Sequence, residues 1–257
     1  MAAITSSLVD ARFALVTSAT SKSAGLLAHY DAMWRDAAPV VRAGGAEIDP
    51  TLECPTADPR RGFTLLARPA ASVSAALVSL SEKLRALEPA QYYQPASGLH
   101  HTILSLFTAT VDYAPYLAHV DAYSAAVTEA ATGIGPFEIE VWGVTLVRGA
   151  VLAQGFAKGE ALGELRDRLR AALAARGLGE GLDQRYRLVT AHMTIARFAA
   201  PINDASRFVD MIEAERATDF GTSLIDRLDL VFGDWYHTAQ NERQIARCLL
   251  TAQTSAA

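Results

Sequence analysis

The sequence predicts an α+β protein that contains two copies of one β-α-β-α-β unit behind an N-terminal helical extension. Three observations predict this class. Short apolar runs typical of strands alternate with stretches of helical periodicity, this order occurs twice, and each copy carries the pattern His-x-Thr-apolar once, at His100 and at His192. The chain has 257 residues, of which 51% are hydrophobic, so it can bury a sizeable core. The duplication favours one two-lobed domain over two independent ones.

The first unit begins with an apolar strand and continues with a helix whose apolar residues recur at helical spacing. A motif strand, a second helix and a third strand follow. The predicted segments are residues 63–67, 72–87, 99–107, 115–131 and 137–147.

The second unit repeats this order with similar segment lengths. Its predicted strand, helix, motif strand, helix and strand are residues 151–156, 160–176, 187–198, 205–216 and 224–232. The long apolar run that joins the two units is expected to fold as a hairpin about Arg148-Gly149-Ala150.

The residues before the repeat form an extension of their own, which divides the chain into residues 1–59 and a two-lobed domain of residues 60–257. An amphipathic stretch at 21–42 predicts a helix, and a loop rich in proline and acidic residues follows at 44–59. We expect the extension to pack on the surface without a catalytic role. The alternative is that it covers one lobe or shapes a cleft.

Charge and composition narrow the classes of function. The net charge of −5 argues against a broad surface for duplex nucleic acid, which needs many cationic groups. No apolar run reaches the roughly 20 residues that cross a bilayer, and the first residues do not show a basic region ahead of an apolar core. Cys54 and Cys248 lack metal-ligand spacing and are interpreted as free thiols of a reducing compartment. We therefore expect a cytoplasmic protein with no membrane partner.

The repeated motif predicts a site. Side chains alternate between the faces of a strand, so His100 and Thr102 share one face, and His192 and Thr194 share one face of the second motif strand. One His-x-Thr tripeptide is a weak signal, but two in equivalent places of a duplicated unit are a stronger one. If the two strands meet, two imidazoles and two hydroxyls surround one small cavity.

This set of groups fits the cleavage of a phosphodiester. In-line displacement needs a base for the attacking water or hydroxyl and an acid for the departing oxygen. Two imidazoles with the ordinary pKa near 6.5 can supply both, which predicts a bell-shaped dependence of activity on pH. The hydroxyls of Thr102 and Thr194 can donate hydrogen bonds to the phosphate oxygens.

These paired motifs on duplicated β-α units resemble those of the two-histidine, or 2H, phosphoesterase superfamily. That group includes RNA 2′,3′-cyclic phosphodiesterases and proteins called 2′-5′ RNA ligases, and the resemblance covers about residues 60–250. It implies a bilobal fold with a pseudo-twofold axis, two antiparallel sheets around a central cleft, and no required metal or cofactor. It also implies that His100 and His192 exchange the acid and base roles according to the orientation of the substrate.

Further residues are candidates for binding the substrate. Arg197 closes the second motif segment, and an arginine in this place recurs in the relatives that the chain resembles; it can hold phosphate through two hydrogen bonds. Strict strand alternation would, however, turn it away from the face of His192. Tyr93, with Tyr92, precedes the first motif and is a candidate for stacking on a base.

Other aromatic and histidine residues have less direct interpretations. Trp235 and Tyr236 also suit base stacking, although aromatic packing at a cleft rim explains either aromatic pair equally well. His101 falls on the opposite strand face from His100 and is expected to pack inside, unless the strand slips by one residue. His237 lies outside both motifs and is predicted to be a surface or core-edge residue.

The sequence therefore predicts a metal-independent phosphodiesterase that acts on a small cyclic nucleotide or an RNA end. One alternative is a metal hydrolase that uses the histidines as ligands, which is weakened because no His-x-x-x-His or similar cluster accompanies the motifs. The other alternative is a module of the same fold that binds a phosphorylated ligand or an RNA end without turnover.

Overall fold

The computed structural model describes residues 21–182 and 188–252. In these residues the helices are α1 (Ser21–Arg42), α2 (Ala71–Leu87), α3 (Ala114–Leu117), α4 (Val120–Ala131), α5 (Ala161–Ala175) and α6 (Ala205–Ala214). The strands are β1 (Arg61–Ala67), β2 (Tyr92–Tyr93), β3 (His101–Thr110), β4 (Phe137–Val147), β5 (Ala150–Ala157), β6 (Met193–Arg197), β7 (Asp219–Ile225), β8 (Arg227–Gly233) and β9 (Arg243–Leu249).

The strands form two sheets. The first sheet has the order β3-β1-β8-β9 and the second has the order β2-β6-β5-β4-β7. Every pairing within them is antiparallel. The predicted α+β class with two antiparallel sheets and an N-terminal helix is confirmed.

The duplication is visible in the sheets, where each unit gives its third strand to the other. The first unit supplies β1 and β3 to the first sheet but β4 to the second, and the second unit supplies β5 and β6 to the second sheet but β8 to the first. The segments β3-β1-β8 and β6-β5-β4 therefore correspond. The hairpin turn at Arg148-Gly149, found where it was expected, holds β4 beside β5. Because of this exchange, neither unit has a complete sheet of its own.

Each sheet has its own hydrophobic core. Helices α4 and α5 pack on the first sheet to form the first core, and α1, α2 and α6 pack on the second sheet to form the second core. The helical spacing predicted the buried faces, since Leu77 and Leu84 of α2 and Leu165 and Leu169 of α5 are fully buried. Full burial of such a side chain contributes about 1.5–3 kcal/mol, so these faces hold the helices on the sheets.

The helix predicted over residues 115–131 is interrupted. Helix α3 ends at Leu117, and His119 takes a backbone conformation outside the helical region (φ −107°, ψ 21°) before α4 begins at Val120. Leu117 and Val120, on either side of this break, both contact the first core. The helical spacing of apolar residues therefore continues through the break. The sequence pattern therefore showed the buried face but not the break.

The single strand predicted over residues 224–232 is wrong. Strand β7 ends at Ile225 in the second sheet, and after Asp226 the chain enters β8 in the first sheet. A continuous apolar run does not show where a chain changes sheets. Strand β9 was not predicted, because this edge strand has exposed polar residues and its apolar residues are partly buried or exposed. The predicted motif strand 187–198 is shorter in the structure, and its first residue lies outside the described range.

Helix α1 of the extension packs directly on the second sheet. Trp34 and Val41 lie in the second core. The Tyr30 hydroxyl donates to the carbonyl of Gly155 on β5 (3.1 Å) and accepts from the amide of the same residue (3.2 Å). The helix therefore covers one lobe, as one of the two alternatives proposed. None of the helices in the described part of the chain is long and apolar enough to cross a membrane.

Candidate active site

A cleft of about 460 Å³ is lined by residues of both sheets. His100 and Thr102 face it from the first motif, and His192 and Thr194 face it from the second. The predicted convergence of the four motif side chains is thus present. The cleft size falls within the range of about 300–1,000 Å³ that is usual for small-molecule sites.

Alternating burial places the first motif as expected. His101 and Ile103 are fully buried, while Thr102 between them is only partly buried. The strand has not slipped by one residue, so His101 faces inward and His100 faces the cleft. His101 Nδ1 lies 2.6 Å from the carbonyl oxygen of Ala191, the residue before His192.

The His100 imidazole is held by a carbonyl. Its Nδ1 lies 2.7 Å from the oxygen of Gly98, which closes the 3-10 turn Ala96–Gly98. A carbonyl only accepts hydrogen bonds, so Nδ1 carries a proton and the neutral ring has its lone pair at Nε2. Burial lowers the pKa of His100 well below 6.5, and the neighbouring His237 lowers it further.

The His192 imidazole is held by a hydroxyl. Its Nδ1 lies 2.7 Å from Oγ1 of Thr190, and this hydroxyl can donate or accept. Burial is the main cause that lowers the pKa of His192 to about 4, and the charge of Arg197 is the next largest cause. Both motif histidines are therefore neutral near pH 7. This differs from the expectation that both imidazoles have the ordinary pKa near 6.5.

A β-bulge brings Arg197 to the cleft. Val151 on β5 pairs with Ala196, but the next residue, Leu152, pairs with Thr194, so Ile195 is an extra residue in β6. Ile195 and Ala196 consequently both face the second core, and Arg197 returns to the face of Thr194. Strict alternation had predicted the opposite direction for Arg197, because a bulge cannot be read from the alternation pattern.

The Arg197 guanidinium lies against an aromatic wall. Its Cζ is 6.0 Å from the ring centre of Trp235 and 5.9 Å from that of Tyr236. Within residues 21–182 and 188–252 it forms no ion pair with a carboxylate. Burial lowers the pKa of this group, because removing a cation from water is costly, and attraction to Asp49 offsets part of that lowering. An anion in the cleft would offset that cost.

Tyr93 does not lie where the sequence placed it. The ring is buried in the second core, with 5% of its surface exposed, and its hydroxyl donates to the carbonyl of Glu88 (2.9 Å). This position corrects the expectation that Tyr93 contacts the substrate. Of the two aromatic pairs, Trp235 and Tyr236 line the cleft.

Two buried donors join the motifs. The Arg166 guanidinium on α5 donates to the carbonyls of Ile103 (2.8 Å), Thr102 (3.0 Å) and Thr190 (2.7 Å). Together with the contact between His101 and Ala191, this arginine fixes the first motif relative to the residues just before His192. No pattern in the sequence pointed to Arg166, which interrupts an apolar helix face.

The extension also supports the cleft wall. The hydroxyl of Tyr236 donates to Oδ2 of Asp49 (2.7 Å), and Arg60 reaches the same hydroxyl (3.3 Å) while pairing with Asp58. Burial raises the pKa of Tyr236 to about 12, so the hydroxyl keeps its proton for Asp49. Residues 49–60 therefore position an aromatic residue of the cleft, which favours the alternative that the extension shapes it.

His237 is a cleft residue that the sequence did not identify. It lines the cleft beside His100, and the two ring centres are 4.3 Å apart. Its place directly after Trp235 and Tyr236 was the only signal in the sequence. Within the described ranges, no group of three or more His, Cys, Asp or Glu residues is arranged to hold a metal ion.

Comparison with known families and structures agrees with this architecture. A family model described as the 2′-5′ RNA ligase superfamily matches residues 61–232, which include both motifs. A search of the curated proteins found no match.

Two solved structures have a similar fold. The protein TT0787 of Thermus thermophilus is 20% identical with a TM-score of 0.55, and the match covers 76% of this chain and 99% of that chain. LigT of E. coli, solved in complex with 3′-AMP, is 16% identical with a TM-score of 0.52, covering 75% of this chain and 99% of that chain. At these identities the likeness shows the fold.

Proposed function

This chain belongs to the 2′-5′ RNA ligase superfamily, and we propose that it is a metal-independent phosphodiesterase of the two-histidine type. Its substrate is a cyclic phosphodiester or a 2′-5′ linkage of a nucleotide or RNA end. The observation that carries the proposal is the convergence of His100, Thr102, His192 and Thr194 on one cleft from the two halves of a duplicated fold.

The roles of the two imidazoles in hydrolysis are inferred from their hydrogen-bond partners. With Nδ1 held by Gly98, neutral His100 presents a lone pair at Nε2 and takes a proton from the attacking water. His192 can carry a proton at Nε2, because Thr190 can donate to Nδ1 of the neutral ring or accept from that of the cation. His192 therefore protonates the departing ribose oxygen. One phosphorus–oxygen bond forms as the other breaks, and solvent exchange resets both rings.

The remaining polar groups meet the charge on phosphate. The hydroxyls of Thr102 and Thr194 donate to the non-bridging oxygens, and Arg197 supplies the cation. A bound phosphodiester anion also compensates the positive charge of a protonated imidazole, which burial otherwise disfavours. Binding of substrate thereby favours the one-proton state that the reaction requires.

The size and lining of the cleft favour a small nucleotide. The volume of about 460 Å³ suits a mononucleotide or the end of a strand, and the wall at Trp235 offers a face for a base. LigT, which shares the fold, was solved with 3′-AMP. The net charge of −5 argues against a long duplex.

The test is a panel of 2′,3′-cyclic nucleotides and 2′-5′ dinucleotides, assayed for hydrolysis in the presence of a strong chelator. We expect turnover by the wild type, with kcat bell-shaped in pH, and a loss of about 10²–10⁴-fold in His100→Ala and in His192→Ala. The exposed His119 lies outside the cleft, so His119→Ala serves as the matched control. Complete loss of activity with the chelator would point to a metal hydrolase. Binding without turnover in wild type and both variants would point to a binding module.

A further inference from the structure

We propose that His237 is a positioning residue for His100, held in place by Glu242 and Arg68. The inference rests on the proposed function, because it concerns the histidine to which that function gives the base role. His237 belongs to neither motif and comes from the segment between β8 and β9. The cleft therefore contains a third imidazole in addition to those of His100 and His192 from the duplicated motifs.

The contact between the two imidazoles is close. Their ring centres are 4.3 Å apart and their planes meet at 55°. His237 Nδ1 lies 2.8 Å from Oε2 of Glu242, and both side chains are largely buried, with 11% and 16% of their surface exposed. A carboxylate accepts, so Nδ1 of His237 carries a proton and the ring orientation is fixed. This arrangement packs one fixed imidazole beside another at a tilt.

Arg68 closes the set of contacts around His100. Its guanidinium forms an ion pair with Oε1 of Glu242 and donates to the carbonyl of Ser97 (2.9 Å). Ser97 belongs to the same 3-10 turn as Gly98, whose carbonyl holds Nδ1 of His100. The connected side chains of Arg68, Glu242 and His237 thus contact both the turn that holds Nδ1 of His100 and the His100 ring itself.

The segment that carries His237 has a backbone held by several hydrogen bonds. His237 has φ +54°, in the left-handed region that residues other than glycine seldom occupy. The buried carboxylate of Asp234 accepts from the amides of Tyr236 (2.9 Å) and Thr238 (3.1 Å) and from Asn241 Nδ2 (2.9 Å). These bonds hold the unusual conformation, and a strained residue kept by its surroundings at a cleft is a mark of function.

His237 also affects the charge of its neighbour. The titratable groups around His100 are His101 on β3, Arg68 after β1, and His237 with Glu242 before β9. Burial and the charge of His237 both lower the pKa of His100, which keeps this ring neutral and ready to accept a proton. Removal of His237 should therefore raise the pH at which His100 is half protonated.

The experiment compares the wild type with His237→Asn in the ligand-free protein. Asparagine tolerates a positive φ, so the variant removes the imidazole and keeps the backbone. NMR titration of the imidazole resonances should show the His100 midpoint raised, by on the order of one pH unit. His119→Asn is the matched control, because His119 is exposed and outside the cleft, and it should leave that midpoint in place.

Kinetics give a second measurement. On the substrate found in the panel, His237→Asn should lower kcat by about tenfold with little change in KM, and the acidic limb of kcat/KM should move to higher pH. Reduced thermal stability with an unmoved His100 midpoint and an unchanged kcat would overturn the proposal and leave His237 as packing only.

The two proposals can fail separately. If no substrate is turned over, the proposed function fails while the NMR titration still decides whether His237 acts on His100. If His237→Asn does not fold, Glu242→Gln keeps the imidazole but removes its charged partner. That variant should also move the His100 midpoint, and a midpoint equal to that of the wild type would count against the proposal.

Discussion

The two motif regions share a sequence pattern and a place in the fold, but they differ in what holds the histidine. On the first-motif side, a carbonyl at Gly98 and a second imidazole at His237 surround His100. On the second-motif side, a hydroxyl at Thr190 and the cation of Arg197 surround His192. The histidine and threonine of each motif are thus common to the two sides, while the groups that hold the histidine differ. The two histidines therefore have different hydrogen-bond partners although their motifs are alike in sequence.

The largest effect expected from this comparison is at the groups that did not diverge. Thr102→Val and Thr194→Val keep the shape of each side chain but remove the hydroxyl that we propose donates to the phosphate oxygens, and each should lower kcat by about 10²–10³-fold. Steady-state kinetics on the panel substrate measure this loss. Thr108→Val on β3 is the matched control, because Thr108 does not line the cleft. Losses below about threefold on both sides would refute the donor role of the two hydroxyls.

A smaller loss is expected where the two sides are joined. Arg166→Gln removes the fork that binds the carbonyls of Ile103 and Thr190, and unpaired buried acceptors cost about 1–3 kcal/mol of the free energy of unfolding. Small displacements of the motifs should lower kcat by about 10–10²-fold. Denaturant unfolding and kinetics measure both changes.

The control for this variant lies on the same helix. Arg168 is partly exposed and pairs with Glu164, so Arg168→Gln should alter the free energy of unfolding by less than about 0.5 kcal/mol. Equal effects of the two substitutions would mean that Arg166 does not set the distance between the motifs.

The sequence predicted the shared part of the site better than the divergent part, for a physical reason. Alternating and helical apolar patterns are local, so they placed His100 and Thr102 on the cleft face and placed the buried faces of α2 and α5. Long-range contacts leave no such pattern. Arg166 meets Ile103 across 63 residues and Arg68 meets Glu242 across 174.

Local irregularities were a second limit. The bulge at Ile195, which reverses the direction of Arg197, breaks the alternation on which the expectation depended. The sequence also did not predict the position of Tyr93, because an aromatic residue near a motif can pack in a core as well as in a cleft. Only its hydrogen bond to Glu88 and its burial distinguish the two.

The inward positions of the two motifs offer a further test, since His101 stands where the second motif has Met193. Burial lowers the pKa of His101 to about 4, while the unfolded chain keeps a value near 6.5. Between these values the unfolded state binds more protons, so the protein loses stability as pH falls from about 6.5 to 4.

Replacing this histidine by the residue of the other motif should remove that loss. His101→Met should reduce the stability difference between pH 7.5 and pH 5 by about 2 kcal/mol, because the titrating group is gone. Urea unfolding at the two pH values measures it, with His119→Met as the exposed control. An unchanged pH dependence would show that His101 is not the buried group that binds the proton on unfolding.

The smallest effect is expected at the support of His192. Thr190→Val removes the hydroxyl that lies 2.7 Å from Nδ1, which leaves His192 oriented by its backbone and by packing alone. The substitution disturbs His192, the proposed acid, and leaves the proposed phosphate-binding groups in place. We therefore expect kcat to fall by about three- to tenfold, mainly on the alkaline limb of the pH profile. Thr190 is buried, so Thr190→Ser, which keeps the hydroxyl, is the matched control and should stay near the wild-type rate. If Thr190→Val instead moved only the acidic limb, His192 would be the base, and the assignment drawn from the two different supports would have to be reversed.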